Sequence, residues 1–356
     1  MNSTTYPAEA IGKPLVWAGL DVASETFEAA LWLTLAATAS RSQRQIPVRG
    51  FARTPEGIEQ FLAWADALLA EAADPEAPML RVVMEATGKY SLELAIWLIA
   101  RRPSLAPAII NPETAAHFAK SLSLRAKTDK TDARALARYG AERHPASYDP
   151  PSPAQAELRE LSRYRQTLVE SRDAEKARAR EGAASALVRR QQQARIRRFE
   201  RDIERLEREM IKVLEKLPNL KRDAAQLDGI YGVGLIVAVT VLAELGDLRR
   251  FEQGRTLTAF GGIAPRKGDS GKSVHQQAHM CKKGSAHVRR ALYMAAMTVI
   301  RGDNDLADLY HRLVAKGNKR MSALGAVMRK MLLVMRAILI SGEPYQRHYR
   351  AVDKSV

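Results

Sequence analysis

Residues 15–22 read LVWAGLDV, a short apolar run with one acid, Asp21, near its end. Residues 79–85 read MLRVVME, a second apolar run that closes on Glu85. Apolar runs of this length predict buried strands. An acid at the end of a buried strand is costly unless something neutralises it, so both acids are candidate functional residues.

Helical stretches separate these runs from further strand candidates. Thr54-Pro55-Glu56 opens a helix, with proline at a favoured first-turn position. The pattern predicts further strands over 26–35 and 106–110, and helices over 54–73, over 90–101, from Pro112 and from Thr128. Strands that alternate with helices predict an α/β layered domain with a partly parallel central sheet.

A pair of acids begins the last of these helices. Asp129 and Asp132 lie three residues apart in KTDKTDAR, residues 127–134, which puts both on one helical face. Together with Asp21 and Glu85 they would bind two hard cations such as Mg²⁺, which prefer oxygen ligands and clamp a phosphodiester between them. The alternative is structural: helix-start acids favour the positive end of the helix, and strand-end acids face solvent in many proteins.

The segment 148–153, YDPPSP, interrupts any helix and marks a boundary. Beyond it the composition turns to Ala, Arg, Glu, Gln and Leu. An arginine-rich stretch at 189–198 is ordinarily a solvated helix face, and beside a nucleic acid it would clamp the backbone. A heptad seam follows, made of Ile196, Phe199, Ile203, Leu206, Met210, Val213 and Leu217. Two long helices around Gly182 would form a helical hairpin or a dimerising coiled coil. The alternative hypothesis is a single helix that packs on its own domain.

The last part of the chain, from about residue 222 to 345, is mostly helical by pattern. Residues 227–234, LDGIYGVG, precede an apolar helix over 235–245 and resemble the turn of a helix-hairpin-helix motif. In that motif glycines such as Gly232 and Gly234 expose backbone N–H groups to a phosphate at a helix start. Further helices with basic residues are predicted over 289–301 and 321–341.

Charge is distributed unevenly along the 356 residues, which carry 56 Lys and Arg against 40 Asp and Glu. Residues 1–150 hold 16 basic and 17 acidic side chains, and residues 221–356 hold 23 and 11. A neutral front half and a basic back half indicate chemistry in the first and a bound polyanion in the second. The single cysteine, Cys281, excludes an internal disulfide and a thiolate metal cluster, and neither a signal peptide nor a membrane span is predicted.

Seven motifs in order along nearly the whole chain resemble those of the DEDD-type transposases of bacterial insertion sequences. The motifs are GLDVA (19–23), EATGKY (85–90), KTDKTDAR (127–134), GIYGVG (229–234), FGGIAPR (260–266), DSGKS (269–273) and RRALYM (289–294). Two departures are an irregular region between residues 41 and 50 and Cys281 in place of a small polar residue. The resemblance implies an α/β RNase H-like, or RuvC-like, DEDD domain (1–147), a helical coiled-coil linker for dimerisation (148–220), a mainly α transposase domain (221–345) and a tail (346–356).

The resemblance also implies a function and a set of site residues. The protein would be an RNA-guided DNA recombinase that excises and integrates an insertion sequence, with a structured noncoding bridge RNA that pairs with target and donor DNA. Asp21, Glu85, Asp129 and Asp132 would be catalytic metal ligands for two Mg²⁺ ions, and Ser270 the nucleophile that joins covalently to DNA. Nucleic-acid contacts are expected from Arg266, Lys267, Lys272, Lys282, Lys283, Arg289, Arg290, Gly232 and Gly234.

Partners and place in the cell follow from the same resemblance. We expect a homo-oligomer, a dimer that becomes a tetramer on DNA, in the bacterial cytoplasm at the nucleoid and without membrane contact. One alternative is a RuvC-like, structure-specific DNA endonuclease that cuts with metal-activated water, for which Ser270 would be irrelevant. Another is a nucleic-acid-binding scaffold in which the acids are structural.

Overall fold

The computed structural model describes residues 15–33, 46–71, 79–122, 128–266, 269–270, 274–275, 279–281 and 284–348. The chain divides into two compact units, Met1–Pro150 and Pro151–Val356. The proposed subdivision of the chain into three domains and a tail stays a prediction. Within the described residues no helix combines the length and the apolar character that crossing a membrane requires.

The first unit is built on a five-stranded mixed sheet. The strands are β1 (Leu15–Val22), β2 (Thr26–Trp32), β3 (Val48–Ala52), β4 (Met79–Glu85) and β5 (Ala108–Ile110), in the spatial order β3-β2-β1-β4-β5. β1 pairs antiparallel with β2 and parallel with β4, and β4 pairs parallel with β5. The predicted α/β domain with a partly parallel sheet is confirmed. β3 was not predicted, because its sequence VRGFA lacks both a continuous apolar run and an alternating one.

Helices cover the sheet of the first unit. They are α1 (Pro55–Glu71), α2 (Lys89–Arg101), α3 (Pro112–Ser121) and α4 (Asp129–Arg143), with a 3₁₀ turn at Pro103–Leu105. One apolar core gathers Leu20, Phe27, Phe51, Phe61 and neighbours. On the opposite face α4 packs against β1, because alternate β1 residues point to opposite sides of the sheet.

The second unit begins with an antiparallel helical hairpin. α5 (Pro153–Glu181) and α6 (Ala186–Glu215) are joined by a turn at Gly182. Ion pairs that link the helices include Arg165–Glu207 at 2.6 Å and Lys176–Glu200 at 2.7 Å. Of the predicted heptad seam, Ile203, Met210 and Val213 are buried. The predicted helical hairpin is therefore confirmed, and dimerisation through a coiled coil stays a prediction.

The rest of the second unit is helical with two short ribbons. The helices are α7 (Pro218–Asp228), α8 (Leu235–Leu245), α9 (Gly254–Phe260), α10 (Ala286–Val299), α11 (Asp305–Ala315) and α12 (Arg320–Ser341), with a 3₁₀ turn at Leu248–Arg250. β6 (Pro265–Arg266) pairs with β9 (His279–Met280), and β7 (Asp269–Ser270) with β8 (Val274–His275). A single core joins these helices to the base of the hairpin through Leu158 and Met210. The helix-hairpin-helix assignment of α7 and α8 stays a prediction.

Candidate active site

Asp21 and Glu85 stand next to each other at one end of the sheet. The parallel ladder between β1 and β4 runs to the pair Leu20 and Met84, so the two acids are the next residues in register. The carboxyl ends of parallel strands share a sheet edge, a position that α/β proteins commonly use for binding sites. Both side chains are half-buried.

α4 brings the other two predicted acids to the same end. Gly140 near its end lies against the Trp17 ring, and Gly19 lies against the backbone of Ala133 and Ala137. The helix therefore runs opposite to β1, and its first turn, with Asp129 and Asp132, lies toward the end of β1 that carries Asp21. The hydroxyl of Thr128 caps this turn by accepting a hydrogen bond from the N–H of Thr131 at 3.2 Å.

The four acids share a location without forming a closed cage. Asp132 is half-buried and Asp129 exposed. Among the described side chains, the one trio whose potential metal-binding atoms lie within 4.8 Å of one another is elsewhere, at Asp305, Asp308 and His348 on the surface. No three of the sheet-end acids therefore bring their oxygens within that distance of one another.

A fifth acid, Glu28, lies on β2 beside Asp21 and was not predicted from the sequence. It is the cross-strand partner of Asp21 in the β1–β2 ladder, and directly opposed residues of an antiparallel pair project from the same face. Its Oε2 atom is buried and accepts no hydrogen bond from the described residues. The available signal was a charged residue inside the apolar strand TFEAALW.

The donor set suits a hard divalent cation. Carboxylate oxygens are the ligands that Mg²⁺ prefers, and a buried carboxylate oxygen without a partner is costly unless a cation approaches it. Asp21, Glu85, Asp129 and Asp132 would hold the ions, as the family resemblance implies.

Arg53, which was also not predicted from the sequence, connects the β1–β2 turn to α2, the helix that follows Glu85. Its Nε and Nη2 atoms donate to the carbonyl oxygen of Ser24, at 2.8 and 2.6 Å, and its Nη1 atom donates to Glu93 on α2 at 2.8 Å. The guanidinium also lies over the ring of Tyr90, 4.8 Å from its centroid. One side chain thus ties the β1–β2 turn to the helix that follows Glu85.

Ser270 lies in the second unit, at the end of β7. In that ribbon Ser270 pairs with Val274, and Asp269 with His275. Arg266 is the last residue of β6 and pairs with His279 of β9. Lys267, Lys272, Lys282 and Lys283 lie outside the described residues.

Arg289 and Arg290, predicted to contact nucleic acid, both have partners within the second unit. The Nη1 atom of Arg289 donates to the carbonyl oxygen of Gly284 at 2.8 Å, which closes the turn before α10. Arg290 forms an ion pair with Glu170 of α5. Any phosphate contact by these arginines would compete with these bonds.

The glycine turn before α8 opens into a cavity of about 530 Å³. Gly234 caps α8 without a side-chain hydrogen bond, and space is open where its Cβ would be. Gly232, at φ 80°, is instead packed against Val299 of α10. Arg347 also lines the cavity, with its guanidinium 4.7 Å from the centroid of the Tyr231 ring. An uncapped helix start beside a guanidinium is an anion-binding arrangement.

A buried carboxylate fixes the start of α10. Glu244 accepts hydrogen bonds from Arg163 at 2.6 and 3.0 Å and from the Ser285 hydroxyl at 3.0 Å. Burial pushes the pKa of Glu244 upward, but the hydrogen bonds and charge of Arg163, with Ser285 and His287, hold it below its ordinary value. This network joins α5, α8 and α10.

A mixed sheet with acids on neighbouring strand ends, beside a helix start that carries two more, is consistent with the RNase H-like class of nucleic-acid enzymes. A family model described as a transposase, of the DEDD IS110 type, matches residues 18–184. A second, described as "Transposase IS116/IS110/IS902 family", matches residues 224–311. The chain belongs to the IS110 family of transposases, which are DNA recombination enzymes, and the family predicted from the sequence is confirmed.

Two curated relatives extend over nearly the full chain. The pilin gene-inverting proteins of Moraxella lacunata and Moraxella bovis are 30% and 29% identical over 330 residues, which is 92% of this chain and 97% of theirs. The transposase for insertion sequence element IS1111A of Coxiella burnetii is 26% identical over 136 residues, 37% of each chain.

Proposed function

We propose that this transposase excises and integrates its element through a covalent serine–DNA intermediate, guided by a structured noncoding bridge RNA and dependent on Mg²⁺. The observation that carries the proposal is the pairing of Asp21 and Glu85 on adjacent parallel strands beside the start of α4. A strand end with these acids is the place where a phosphodiester would be held for cleavage.

The covalent step conserves the energy of the broken bond. The Ser270 oxygen forms a bond to phosphorus, the bond from phosphorus to one DNA sugar oxygen breaks, and that sugar leaves as a hydroxyl that takes up the proton lost by serine. The reverse attack by another DNA hydroxyl rejoins the strands and frees the serine without an external energy source. A metal-activated water would discard that energy.

The acids contribute by concentrating negative charge where cations are needed. When bound, divalent cations lower the pKa of the attacking hydroxyl and neutralise the charge of the scissile phosphate. Asp21 and Glu85 hold their positions through the β1–β4 ladder. Asp129 and Asp132 hold theirs through the capped first turn of α4, and Arg53 holds α2, the helix that follows Glu85, through Glu93 and Tyr90.

Nucleic-acid binding is assigned mainly to the second unit. The part of the chain after residue 150 carries 40 Lys and Arg against 23 Asp and Glu. We assign phosphate contacts to the open helix start at Gly234, to Arg347, and to the predicted basic residues around Ser270. The same chemistry serves DNA and RNA backbones, so both the target and donor DNA and the guide RNA are expected to bind with steep salt dependence. The protein would act as a dimer or tetramer at the bacterial nucleoid.

The test of the covalent step compares two serines that lie three positions apart in the sequence, through the variants Ser270→Ala and Ser273→Ala. End-labelled DNA carrying the element ends is incubated with protein, guide RNA and Mg²⁺, then separated by denaturing electrophoresis with and without protease. A slow, protease-sensitive band is expected for the parent and for Ser273→Ala, and its absence for Ser270→Ala. Cleavage without an adduct in both variants and the parent would instead support the endonuclease that uses water.

A second candidate reaction uses the same site on a different DNA arrangement. The two relatives that extend over 92% of the chain are named for inverting a pilin gene. Inversion and transposition differ in how the two recombining sites are placed, not in the bonds broken. A plasmid with two element ends in opposed orientation distinguishes them: inversion yields a rearranged circle, and excision yields two products.

A further inference from the structure

We propose that Glu28 is a fifth acid of the active site, which takes part in holding the divalent cation beside Asp21. The inference rests on the proposed metal-dependent function and extends it to a residue outside the four predicted ligands. Glu28 lies on β2, whereas the four predicted acids belong to β1, β4 and the start of α4.

The sheet register aligns Glu28 with the acids already described. Across four neighbouring strands the row reads Gly50 on β3, Glu28 on β2, Asp21 on β1 and Glu85 on β4. Residues in such a row project from the same face, and this is the face that α4 covers, since Gly19 two residues before Asp21 touches α4. Directly opposed residues have Cβ atoms about 5 Å apart, which is within reach of one ion for two carboxylates.

The Glu28 carboxylate lacks the partners that a structural acid has. Its Oε2 atom is buried, with no hydrogen bond to it from the described part of the chain. Glu244 provides the contrast, because that buried carboxylate receives three hydrogen bonds from Arg163 and Ser285. Leaving a buried carboxylate oxygen unsatisfied destabilises a protein, so a cation is the missing partner.

The Glu28 carboxylate lies over Gly50, which leaves room for it because glycine has no side chain. A Cβ added to Gly50 would be 2.7 Å from Oε1 of Glu28 and 3.3 Å from its Cδ atom. The carboxylate therefore leans toward β3, on the side of β2 away from β1 and Asp21, an orientation that also lessens repulsion between the two like charges. A cation between the strands would remove that repulsion, and the long Glu28 side chain would turn toward Asp21.

The first experiment measures metal binding by the full-length protein, without DNA or turnover. Mn²⁺ is titrated and the free ion followed by electron paramagnetic resonance for the parent, Glu28→Gln, the matched control Glu25→Gln in the exposed β1–β2 turn, and Asp21→Asn. Glu28→Gln is expected to lower the Mn²⁺ affinity by about tenfold or more, the range known for removal of a supporting group at a metal site. Glu25→Gln should bind Mn²⁺ as the parent does.

The outcomes separate this inference from the function on which it rests. Parent-like Mn²⁺ binding by Glu28→Gln, together with loss of binding in Asp21→Asn, would overturn the role of Glu28 and keep the metal site. Parent-like binding by both variants would overturn both. Melting temperatures in EDTA exclude misfolding as the cause, since Glu28→Gln removes an unpaired buried charge and should melt at the parent temperature or above it.

A second variant tests the turning of the side chain. Gly50→Ala fills the space over which the Glu28 carboxylate lies and leaves all carboxylates in place. We expect a lower melting temperature in EDTA, because the like charges are forced together, and an Mn²⁺ affinity equal to that of the parent or tighter. An Mn²⁺ affinity as weak as that of Glu28→Gln would overturn the proposed movement toward Asp21.

Discussion

Gly19 packs directly on the backbone of Ala137, so that a methyl group on Gly19 would overlap the amide nitrogen of Ala137. This contact sets the distance between β1 and α4. Because Asp21 follows Gly19 on the strand, and Asp132 precedes Ala137 on the helix, the same contact also sets how closely the two acid-bearing ends approach.

Gly19→Ala should therefore damage both stability and the site. The added methyl group forces the helix away, and we expect a loss of about 3 kcal/mol of unfolding free energy, the upper end for overpacked cores. Mn²⁺ affinity should fall as well, although no ligand has been changed. Chemical denaturation and Mn²⁺ titration check the two effects, and a variant with parent-like values for both would show that α4 tolerates the displacement.

The predicted acids should act as one cluster. Asp21→Asn, Glu85→Gln and Asp132→Asn are each expected to abolish strand cleavage in Mg²⁺ while nucleic-acid binding stays near the parent level. Melting temperatures in EDTA check that each variant is folded. The control is Glu71→Gln at the exposed end of α1, and near-normal cleavage by any one of the three would remove that residue from the ligand set.

The Glu244 network should make the second unit sensitive to acid. Glu244→Gln loses charge-assisted hydrogen bonds to Arg163, and we expect a loss of about 2 kcal/mol at neutral pH. Because the folded state holds the pKa of Glu244 below its ordinary value of 4.5, its contribution is present above that pH and is lost as the pH falls through the folded pKa. The difference between the parent and Glu244→Gln should thus shrink below about pH 4.5.

A pH series of thermal melts measures this effect. Glu181→Gln, at the exposed end of α5, serves as the control and should follow the parent at every pH. A stability difference between Glu244→Gln and the parent that is constant down to pH 3 would contradict the assignment.

The hairpin offers separate tests of internal packing and self-association. Ile203 is 5% exposed, so Ile203→Asp would bury a charge and should lower the stability of the second unit by several kcal/mol, on the order of the cost of an unpaired buried ion.

Leu187 and Val188 near the hairpin turn are 61% and 44% exposed. We expect the proposed oligomer to bury this exposed apolar pair, so replacing both with serine should leave helix content unchanged and lower the mass measured by light scattering. An unchanged oligomer would exclude the hairpin turn as the interface.

We expect the cavity at the glycine turn to bind a backbone phosphate of DNA or RNA, whatever the base sequence. Arg347→Ala is expected to weaken DNA and RNA binding uniformly across sequences and to lower the slope of log affinity against log salt by about one. Lys316→Ala, an exposed basic residue at the end of α11, is the control. A slope identical to that of the parent would place the phosphate elsewhere.

Local patterns predicted the elements best where the chain is apolar and continuous. The strands at residues 15–22 and 79–85 and the helix at 235–245 have the bounds that the sequence predicted. β3 and Glu28 escaped prediction for a shared reason: VRGFA on its own shows neither the period nor the apolar content of a strand. This segment forms a strand because its backbone hydrogen-bonds to β2. Glu28 becomes a candidate site residue only because the sheet register places it opposite Asp21.

The sequence by itself determined the family and the alternation of strands and helices, and it predicted four acids of the first unit, because each is written in short runs of neighbouring residues. Tertiary structure alone decided which of these residues meet. The side-by-side position of Asp21 and Glu85 depends on a parallel register across more than sixty residues, and the approach of Asp132 depends on the contact of α4 with Gly19. The heptad seam shows the same limit: its period predicts an apolar face, but only packing showed that α5 of the same chain covers part of it. Periodicity records which face of an element is apolar, whereas the partner of that face is fixed by the free energy of the whole fold.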